Sequence, residues 1–355
     1  MYSIEKIITT NLKEKPDFNN LVFGKFTTDY MMTMDYSQDL GWHNAKIEPY
    51  ANFCLDPSTT CLHYGQAIFE GMKAYRSEND QILLFRHLDN LHRLNDSAQR
   101  MCMPQISVEF VKYALFELVK MEKEWIPTNP GASLYIRPTM IGTTAMLGVK
   151  PSVTYKFFII LSPVGPYFGN KMEAVDIWVE DKYSRACLGG TGEAKCAGNY
   201  AASLLASSEA AKKGYSQVLW LDAAEKRYVE EVGAMNIFFV IGDEIVTPNL
   251  TGTILRGITR NSIIKLMSHL GYKVTERPIT INELIEEHKK GNLKECFGTG
   301  TAAVIAPVGK LAYKDNVYVI NNGEVGPVAQ TAYDNLVGIQ KGIIPDPFEW
   351  VERIY

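Results

Sequence analysis

The most informative stretch of the sequence is residues 193–200, EAKCAGNY, which directly follow the glycine-rich run GGTG at residues 189–192. Lys195 therefore lies between a glycine loop and an alanine-rich segment, residues 199–214, for which the pattern predicts a helix. A lysine near glycines is usually a solvated loop residue, so its position alone indicates little. In an apolar setting, however, the pKa of a lysine can fall far enough for the amine to act as nucleophile and base.

Three further stretches of the second half contain residues suited to chemistry. Residues 231–236 (EVGAMN) place an acid before a tight glycine and a strand. Residues 255–260 (LRGITR) open a predicted helix at 259–270, and residues 298–302 (GTGTA) form a glycine–threonine turn. Backbone N–H groups at a helix N-terminus favour a bound anion. An amine, an acid and an anion site are together what an enzyme using pyridoxal 5'-phosphate (PLP) requires.

The order of elements predicts a mixed α/β protein of two domains. Helices are expected at residues 86–101, 108–125, 199–214, 259–270 and 330–341, and strands at 52–55, 82–85, 132–139, 154–161, 174–180 and 217–221, with a hairpin over 236–248. The glycine- and proline-rich stretch 162–172 lacks periodicity and is interpreted as a linker. We therefore expect a small α+β domain at 1–163, a linker at 164–173 and a larger α/β domain at 174–355.

Composition excludes several classes of function. Charged residues make up 21% of the 355 residues and the net charge is -4, so no basic surplus indicates nucleic acid or an acidic membrane. No apolar run approaches the ~18 residues of a membrane helix, and the first twenty residues do not resemble a signal peptide. Because the six cysteines form no CxxC pair, we expect free thiols and a cytoplasmic protein. The histidines have no HExxH spacing, so no metal site is expected.

Each of these stretches is weak evidence when taken singly. The GTGTA turn lacks P-loop spacing, and no GxGxxG opens an N-terminal βαβ unit, so a nucleotide-dependent enzyme has little support. Arg93 follows Leu91 by two residues and lies off the apolar stripe of its helix. Periodicity alone therefore predicts a solvated arginine at position 93.

Six motifs occurring together and in order carry much more information. They are FG at residues 23–24, LHYGQAIFEG at 62–71, YIRP at 135–138, KCAGNY at 195–200, EVGAMN at 231–236 and GTGTA at 298–302. Together they resemble the branched-chain amino acid aminotransferases of PLP fold type IV, and specifically the longer subgroup that includes the animal enzymes. The resemblance extends from about Asn20 to the C-terminus.

The resemblance implies a role for each matching position around the cofactor. Lys195 would carry PLP as a Schiff base and act as the general base, with the cofactor between the two domains. Glu231 would pair with the pyridine nitrogen and Tyr200 with the phenolic oxygen. The phosphate would be bound by Arg93, the backbone of Ile258 and Thr259, and Thr301.

It also implies a substrate site that accepts leucine, isoleucine or valine as well as glutamate. An apolar pocket would reject the second carboxylate of glutamate unless a cation were available, and Arg137 with Tyr135 would supply it. The α-carboxylate would bind Tyr64 and the backbone at Thr301 and Ala302. The apolar wall would consist of Phe23, Phe69, Tyr167 and Tyr200. Val149, in the loop 142–151, would reach the neighbouring subunit's pocket, so a homodimer is expected.

The sequence departs from the animal members at two places. These members carry a CxxC after the GTGTA-like turn, where this chain has Ala303 and Ala306, so no thiol switch exists there. Ala234 stands in place of a threonine, which removes a hydroxyl and leaves the fine substrate preference open.

Two alternatives to this function were considered. A D-amino acid aminotransferase or an aminodeoxychorismate lyase would keep the fold and cofactor and change the reaction, but the YIRP and GTGTA motifs fit the branched-chain enzymes better. A non-catalytic binding protein on this fold would have lost its cofactor residues, whereas Lys195, Arg93, Glu231 and Tyr200 are all present.

Overall fold

The computed structural model describes residues 3–166 and 172–354 of the chain. The chain divides into two compact units. Unit 1 comprises Met1–Tyr167, Ala194–Gly198 and Ile339–Tyr355, and unit 2 comprises Phe168–Glu193 and Asn199–Gly338. The sequence suggested two continuous domains. In the structure the five residues around Lys195 and the C-terminal segment group with unit 1 instead.

The strands of the described residues are short and follow one another closely along the chain. They are β1 (Glu5–Lys6), β2 (Tyr30–Ser37), β3 (Gly41–Pro49), β4 (Ala67–Phe69), β5 (Met72–Arg76), β6 (Ile82–Phe85), β7 (Ser133–Gly142), β8 (Thr154–Val164), β9 (Val175–Glu180), β10 (Gln217–Leu221), β11 (Val229–Val232), β12 (Met235–Ile241), β13 (Glu244–Thr247), β14 (Lys273–Glu276), β15 (Leu293–Gly300), β16 (Val304–Tyr313), β17 (Asn316–Val319) and β18 (Val351–Ile354).

The helices alternate with these strands. They are α1 (Thr60–Tyr64), α2 (His87–Arg100), α3 (Val108–Met121), α4 (Ala197–Ala201), α5 (Leu204–Lys212), α6 (Ile258–His269), α7 (Ile281–Lys289) and α8 (Pro327–Gln340), with 3-10 turns at Lys123–Trp125 and Asn321–Gly323. Among the described residues, no helix combines the length and the apolar character needed to cross a bilayer.

Unit 1 is built on a sheet with the strand order β1-β3-β2-β8-β7-β5-β6-β18, and β4 pairs with β7 beside it. The pairs β7–β8, β5–β7 and β4–β7 are antiparallel. Leu91, Leu94 and Ala98 of α2 belong to the same buried apolar cluster as this sheet's inner residues. That helix position brings the other buried face of α2 to the residues around Lys195.

Unit 2 contains a second sheet, ordered β11-β10-β9-β16-β15-β12-β13-β14. Strand β11 also pairs with β12, so six of these strands close into a ring. The interior is filled by apolar side chains, which include Ile177, Leu219, Ile237 and Phe239. The turns that leave β11 and β15 contain the EVGAMN and GTGTA motifs, so the closed ring fixes both turns to one rigid framework.

The mixed α/β prediction is confirmed. Helix α2, strand β6 and strand β10 have the predicted extents within one residue, and α3 begins after the predicted N-cap Ser107, whose side chain accepts the Phe110 N–H. The strand predicted at residues 52–55 is wrong, because the chain there is irregular and leads into a turn in which Asp56 accepts the Ser58 N–H.

The single helix predicted at residues 199–214 is also wrong. It is divided into α4 and α5, with a turn at residues 202–203 between them. The Ser203 N–H and hydroxyl both donate to the Tyr200 carbonyl, at 3.1 and 2.7 Å. A serine that satisfies a helix carbonyl in this way competes with the regular helical hydrogen bonds and ends the first helix.

Candidate active site

Lys195 is held by its main chain on both sides. The Lys195 N–H donates to the hydroxyl of Ser97 on α2 at 2.9 Å, and the Phe69 N–H donates to the Lys195 carbonyl at 3.1 Å. The next residue, Cys196, forms an antiparallel bridge with Ile68 of β4. These bonds fix the backbone, so the lysine side chain extends from a rigid base.

The environment of Lys195 favours a neutral amine. Its Nζ lies 4.9 Å from the centre of the Phe69 ring. Burial, together with the positive charges of Arg93 and Arg137, lowers the pKa of Lys195 to about 8, whereas Glu70 and Tyr135 oppose the change. An amine with this pKa is largely able to act as a nucleophile at mildly alkaline pH.

Arg93 is buried, so the prediction of a solvated arginine from periodicity is wrong. Only 7% of the residue is exposed, and its guanidinium forms two parallel hydrogen bonds with the carboxylate of Glu70, from Nε at 2.7 Å and from Nη2 at 2.9 Å. Arg93 and Ser97 are four residues apart on α2 and therefore share a face. This second, polar stripe of the helix is invisible to a search for apolar periodicity.

Arg137 and its neighbours form the other cationic part of unit 1. The Arg137 Nη2 donates to the Tyr135 hydroxyl at 3.1 Å, and the guanidinium carbon lies 4.7 Å from the centre of the Phe69 ring. Phe23 packs edge-on against the Tyr135 ring at 4.9 Å. Within the described part of the chain, the Nε of Arg137 is buried without a hydrogen-bond partner. Aromatic side chains thus surround an arginine that retains hydrogen-bonding capacity.

Gly71 makes room for this arrangement. A Cβ built on Gly71 would lie 2.0 Å from the Tyr135 hydroxyl oxygen. No side chain fits at that distance, so the glycine is required for the tyrosine hydroxyl to reach Arg137.

In unit 2, Glu231 is held as a buried carboxylate. It is 3% exposed, its Oε2 lies 3.1 Å from the Nε of Arg185, and its Oε1 accepts the Leu255 N–H at 2.7 Å. A cation and a backbone donor both stabilise the ionised form of a buried acid. An ionised, buried carboxylate is suited to stabilise a protonated ring nitrogen.

The N-terminus of α6 is fixed next to that acid. Helix α6 begins at Ile258 after its N-cap Gly257. The amide of Asn236 donates to the Leu255 carbonyl at 3.0 Å, and a Cβ on Gly257 would lie 1.9 Å from the Asn236 side-chain oxygen. The N–H groups of the first helical turn provide a site where an anion is favoured.

The remaining predicted residues have less distinctive surroundings. Thr301 and Ala302 form the turn between β15 and β16, and Ala234 is exposed in the turn between β11 and β12. Tyr64 and Val149 are exposed by 42% and 83%. Tyr200 lies in α4. Tyr167 lies outside the described residues.

Three residues of the site were not found from the sequence. Glu70 stands within a quoted motif, but nothing in its spacing indicates a partner in α2. Ser97 could have been found, because it follows Arg93 by one helical turn. Arg185 gives no sequence signal, since it is far from Glu231 along the chain. Within the described residues, no group of three or more histidine, cysteine, aspartate or glutamate side chains could hold a metal ion.

Comparison with known proteins agrees with this fold and site. The family model described as Amino-transferase class IV matches residues 67–311. The chain therefore belongs to the class IV aminotransferase family, and it has that family's mixed α/β fold.

Its relatives within the family are consistent in their names. The chain is 54% identical to branched-chain-amino-acid aminotransferase 2 of Bacillus subtilis, over 98% of this chain and 96% of the relative. The crystal structure of the Escherichia coli branched-chain amino acid aminotransferase superimposes with a TM-score of 0.78 at 29% identity, covering 92% of this chain and 99% of that one. A branched-chain amino acid aminotransferase complexed with N-(5'-phosphopyridoxyl)-L-glutamate, from the organism abbreviated T.th., superimposes with a TM-score of 0.75 at 26% identity, covering 92% and 98%.

Class IV aminotransferases are in general PLP enzymes. The side chains of this structure fit that cofactor. Lys195 offers an amine that is easily deprotonated, Arg93 offers a guanidinium, and the N-terminus of α6 offers N–H groups for a phosphate. Glu231 offers a buried anion for a protonated ring nitrogen.

Proposed function

We propose that this protein transfers the amino group of L-leucine, L-isoleucine or L-valine to 2-oxoglutarate, reversibly, producing the branched-chain 2-oxo acid and L-glutamate. The observation that carries the proposal is Arg137, whose buried Nε lacks a partner among the described residues while aromatic rings surround the guanidinium. An apolar wall suits a branched side chain, and a cation with an unused donor suits the second carboxylate of glutamate. The complex of the T.th. enzyme with a phosphopyridoxyl glutamate supports glutamate as a substrate.

Lys195 is proposed to hold the cofactor's aldehyde carbon through Nζ and, once displaced by the substrate amine, to move the proton of the substrate Cα. When bound, PLP supplies an aldehyde for the amino group and a ring that accepts the electrons released at Cα. The lowered pKa of Lys195 supports both roles, because a neutral amine is needed to attack a carbonyl and to accept a proton.

The other cofactor contacts are proposed from the chemistry of each group. Arg93, the backbone of Ile258 and Thr259, and Thr301 would bind the phosphate. Glu231 would hold the ring nitrogen in its protonated form, with Arg185 keeping the carboxylate ionised. Tyr200 would donate to the phenolic oxygen.

The substrate contacts are proposed in the same way. Arg137 with Tyr135 would bind the second carboxylate of glutamate, and Tyr64 with the turn at Thr301 and Ala302 would bind the α-carboxylate. Phe23, Phe69 and Tyr167 would line the apolar side, and Ala234 would influence the preference among substrates.

A homodimer is proposed as the working assembly. Leu147 and Val149 are exposed by 70% and 83% in the loop that follows β7, and Leu62 of the adjoining α1 is exposed by 61%. The loop is anchored to the segment before α1 by the bond from the Met146 N–H to the Ser58 carbonyl at 3.1 Å. An exposed apolar patch on an ordered loop favours contact with a second copy. The free state of all six cysteines supports a cytoplasmic location.

An assay of purified protein with PLP against a panel of amino donors tests the reaction. L-Leucine, L-isoleucine and L-valine with 2-oxoglutarate should yield glutamate, and D-alanine should not. Activity with D-alanine alone would instead support the D-amino acid aminotransferase alternative.

Lys195→Ala tests the proposed role of the lysine. The variant should lose transamination by several orders of magnitude, because neither the covalent hold nor the proton transfer remains. Circular dichroism should show an unchanged fold. Near-normal turnover in a folded variant would refute the assignment of Lys195.

A further inference from the structure

Glu70 is an unexpected residue beside a site that is proposed to bind an anion. Its side chain is fully buried, and both carboxylate oxygens accept hydrogen bonds from Arg93. Its Oε2 also accepts the Gly71 N–H at 3.1 Å, and its own N–H donates to the Pro138 carbonyl at 2.8 Å. A carboxylate that close would repel a phosphate, so its presence calls for a different purpose.

The first consequence of Glu70 is geometric. It occupies the edge of the Arg93 guanidinium formed by Nε and Nη2. A bidentate pair of this kind holds a planar guanidinium in one orientation. The direction of the opposite edge, which carries Nη1, is therefore determined by Glu70.

The second consequence concerns the lysine. Glu70 directly follows Phe69, whose N–H donates to the Lys195 carbonyl. The same short strand thus holds the lysine main chain and brings a negative charge to its neighbourhood. That charge raises the pKa of Lys195, while the Arg93 charge lowers it. The two partners of the ion pair act on the lysine in opposite directions.

We propose that Glu70 is a positioning residue that orients the Arg93 guanidinium and balances its positive charge next to Lys195. This inference rests on the proposed function, in which Lys195 and Arg93 both hold the cofactor. A carboxylate at position 70 lets an arginine lie close to the lysine without suppressing the ammonium form completely. The lysine can then both give and accept a proton near neutral pH.

The test compares the protonation of Lys195 in the wild type and in Glu70→Gln. The full-length chain, freed of cofactor, is labelled with an amine-reactive reagent across a pH series, and labelling of Lys195 is quantified by mass spectrometry. The wild-type midpoint is expected near pH 8. In Glu70→Gln the midpoint should move to lower pH, because Arg93 remains and its counter-charge is gone. Each pH unit of movement raises the reactive fraction below the midpoint about tenfold.

Two further variants separate charge from shape. Glu70→Asp keeps the negative charge and should restore the midpoint to near the wild-type value. Glu295→Gln is the matched control, because Glu295 is a buried glutamate that accepts the N–H groups of Val328 and Ala329 in unit 2. It should leave the Lys195 midpoint unchanged. A second readout is retention of PLP during gel filtration, in which Glu70→Gln should lose the cofactor several-fold faster than Glu295→Gln.

An unchanged or higher midpoint in folded Glu70→Gln overturns the proposal. If that variant does not fold, Glu70→Gln/Arg93→Gln replaces it, since both charges are removed together. A midpoint at or above the wild-type value then supports the balance of charges, and a lower one overturns it. Because labelling needs neither cofactor nor substrate, a failure of the proposed transamination would be seen separately, in the donor panel.

Discussion

Gly71 and Tyr135 show how closely the side chains of unit 1 are fitted. The hydroxyl of the tyrosine occupies the space in which a Cβ at position 71 would lie. The Arg137 guanidinium then takes its place against that hydroxyl and the Phe69 ring. A single missing methyl group therefore determines where a cation stands.

Gly71→Ala is expected to weaken the use of glutamate. The new methyl group would displace the Tyr135 hydroxyl and break its bond to Arg137, and a hydrogen bond to a charged group is worth roughly 1.5–3 kcal/mol. The KM for glutamate should rise about tenfold or more, with a smaller change for leucine. Tyr135→Phe removes the same hydrogen bond without adding a methyl group, so its effect on glutamate should be similar. Wild-type kinetics in Gly71→Ala would contradict this account.

Arg137→Ala should affect the two halves of the reaction unequally. Only glutamate and 2-oxoglutarate bring a second carboxylate, so the loss should fall mainly on them, at roughly 10- to 100-fold. Single-turnover rates, followed by cofactor absorbance with each substrate separately, measure this. Equal losses with leucine and with glutamate would refute the division of roles.

Helix α2 illustrates what periodicity finds and what it overlooks. The apolar spacing of Leu91, Leu94 and Ala98 predicts the helix and its buried face correctly. It assigns Arg93 to solvent, because apolar spacing registers only apolar burial. The arginine is buried since Glu70, from a strand distant in sequence, neutralises it. Long-range ion pairs of this kind leave no periodic signal in a single sequence.

The C-terminal end of α3 contains a second unusual acid. Glu122 is its C-cap, is 2% exposed and accepts the Tyr30 N–H at 2.5 Å. Burial, with a contribution from the charge of Asp29, raises the pKa of Glu122 to about 7. A carboxyl group whose pKa is higher in the folded state than in the unfolded state favours folding at low pH, and this stability is lost as the pH rises through about 7.

Glu122→Gln is therefore expected to stabilise the protein above neutral pH. The glutamine oxygen can still accept the Tyr30 N–H, while the buried charge is absent. The free energy of unfolding at pH 8 should rise by roughly 1–3 kcal/mol, with a smaller gain at pH 5. Urea unfolding at both values measures it. Glu117→Gln, on the same helix, is the control: Glu117 pairs with Lys6 at 2.6 Å and its pKa is lowered, so this variant should gain nothing.

The whole chain shows how far one sequence leads. Family motifs placed the amine, the acid and the arginines correctly in the chain, and local patterns located α2, α3, β6 and β10. The division into units was less accessible. Local composition suggested one cut near the glycine- and proline-rich stretch, whereas residues 194–198 and 339–355 group with unit 1 through contacts with β4, α2 and β6. Such contacts depend on packing between distant segments, which periodicity does not register.

The proposed assembly gives a test on the intact protein. Val149→Asp places a charge in the exposed apolar patch of the loop after β7, and burying that charge between two copies would be costly. Sedimentation velocity should show a dimer for the wild type and a large monomer fraction for the variant. Val317→Asp, at another exposed valine in β17, should remain dimeric. A wild-type monomer at micromolar concentration would contradict the proposal.

The grouping of residues 194–198 with unit 1 also limits how this protein can be divided or recombined. A fragment that ends at residue 166 would contain Glu70, Arg93 and Arg137 but would lack Lys195. An exchange of gene segments at that boundary would pair one parent's arginines with another parent's lysine. The hydroxyl at position 97 and the strand at residues 67–69 would have to suit the incoming peptide, so these positions must be inherited together with the lysine segment for a hybrid enzyme to remain active.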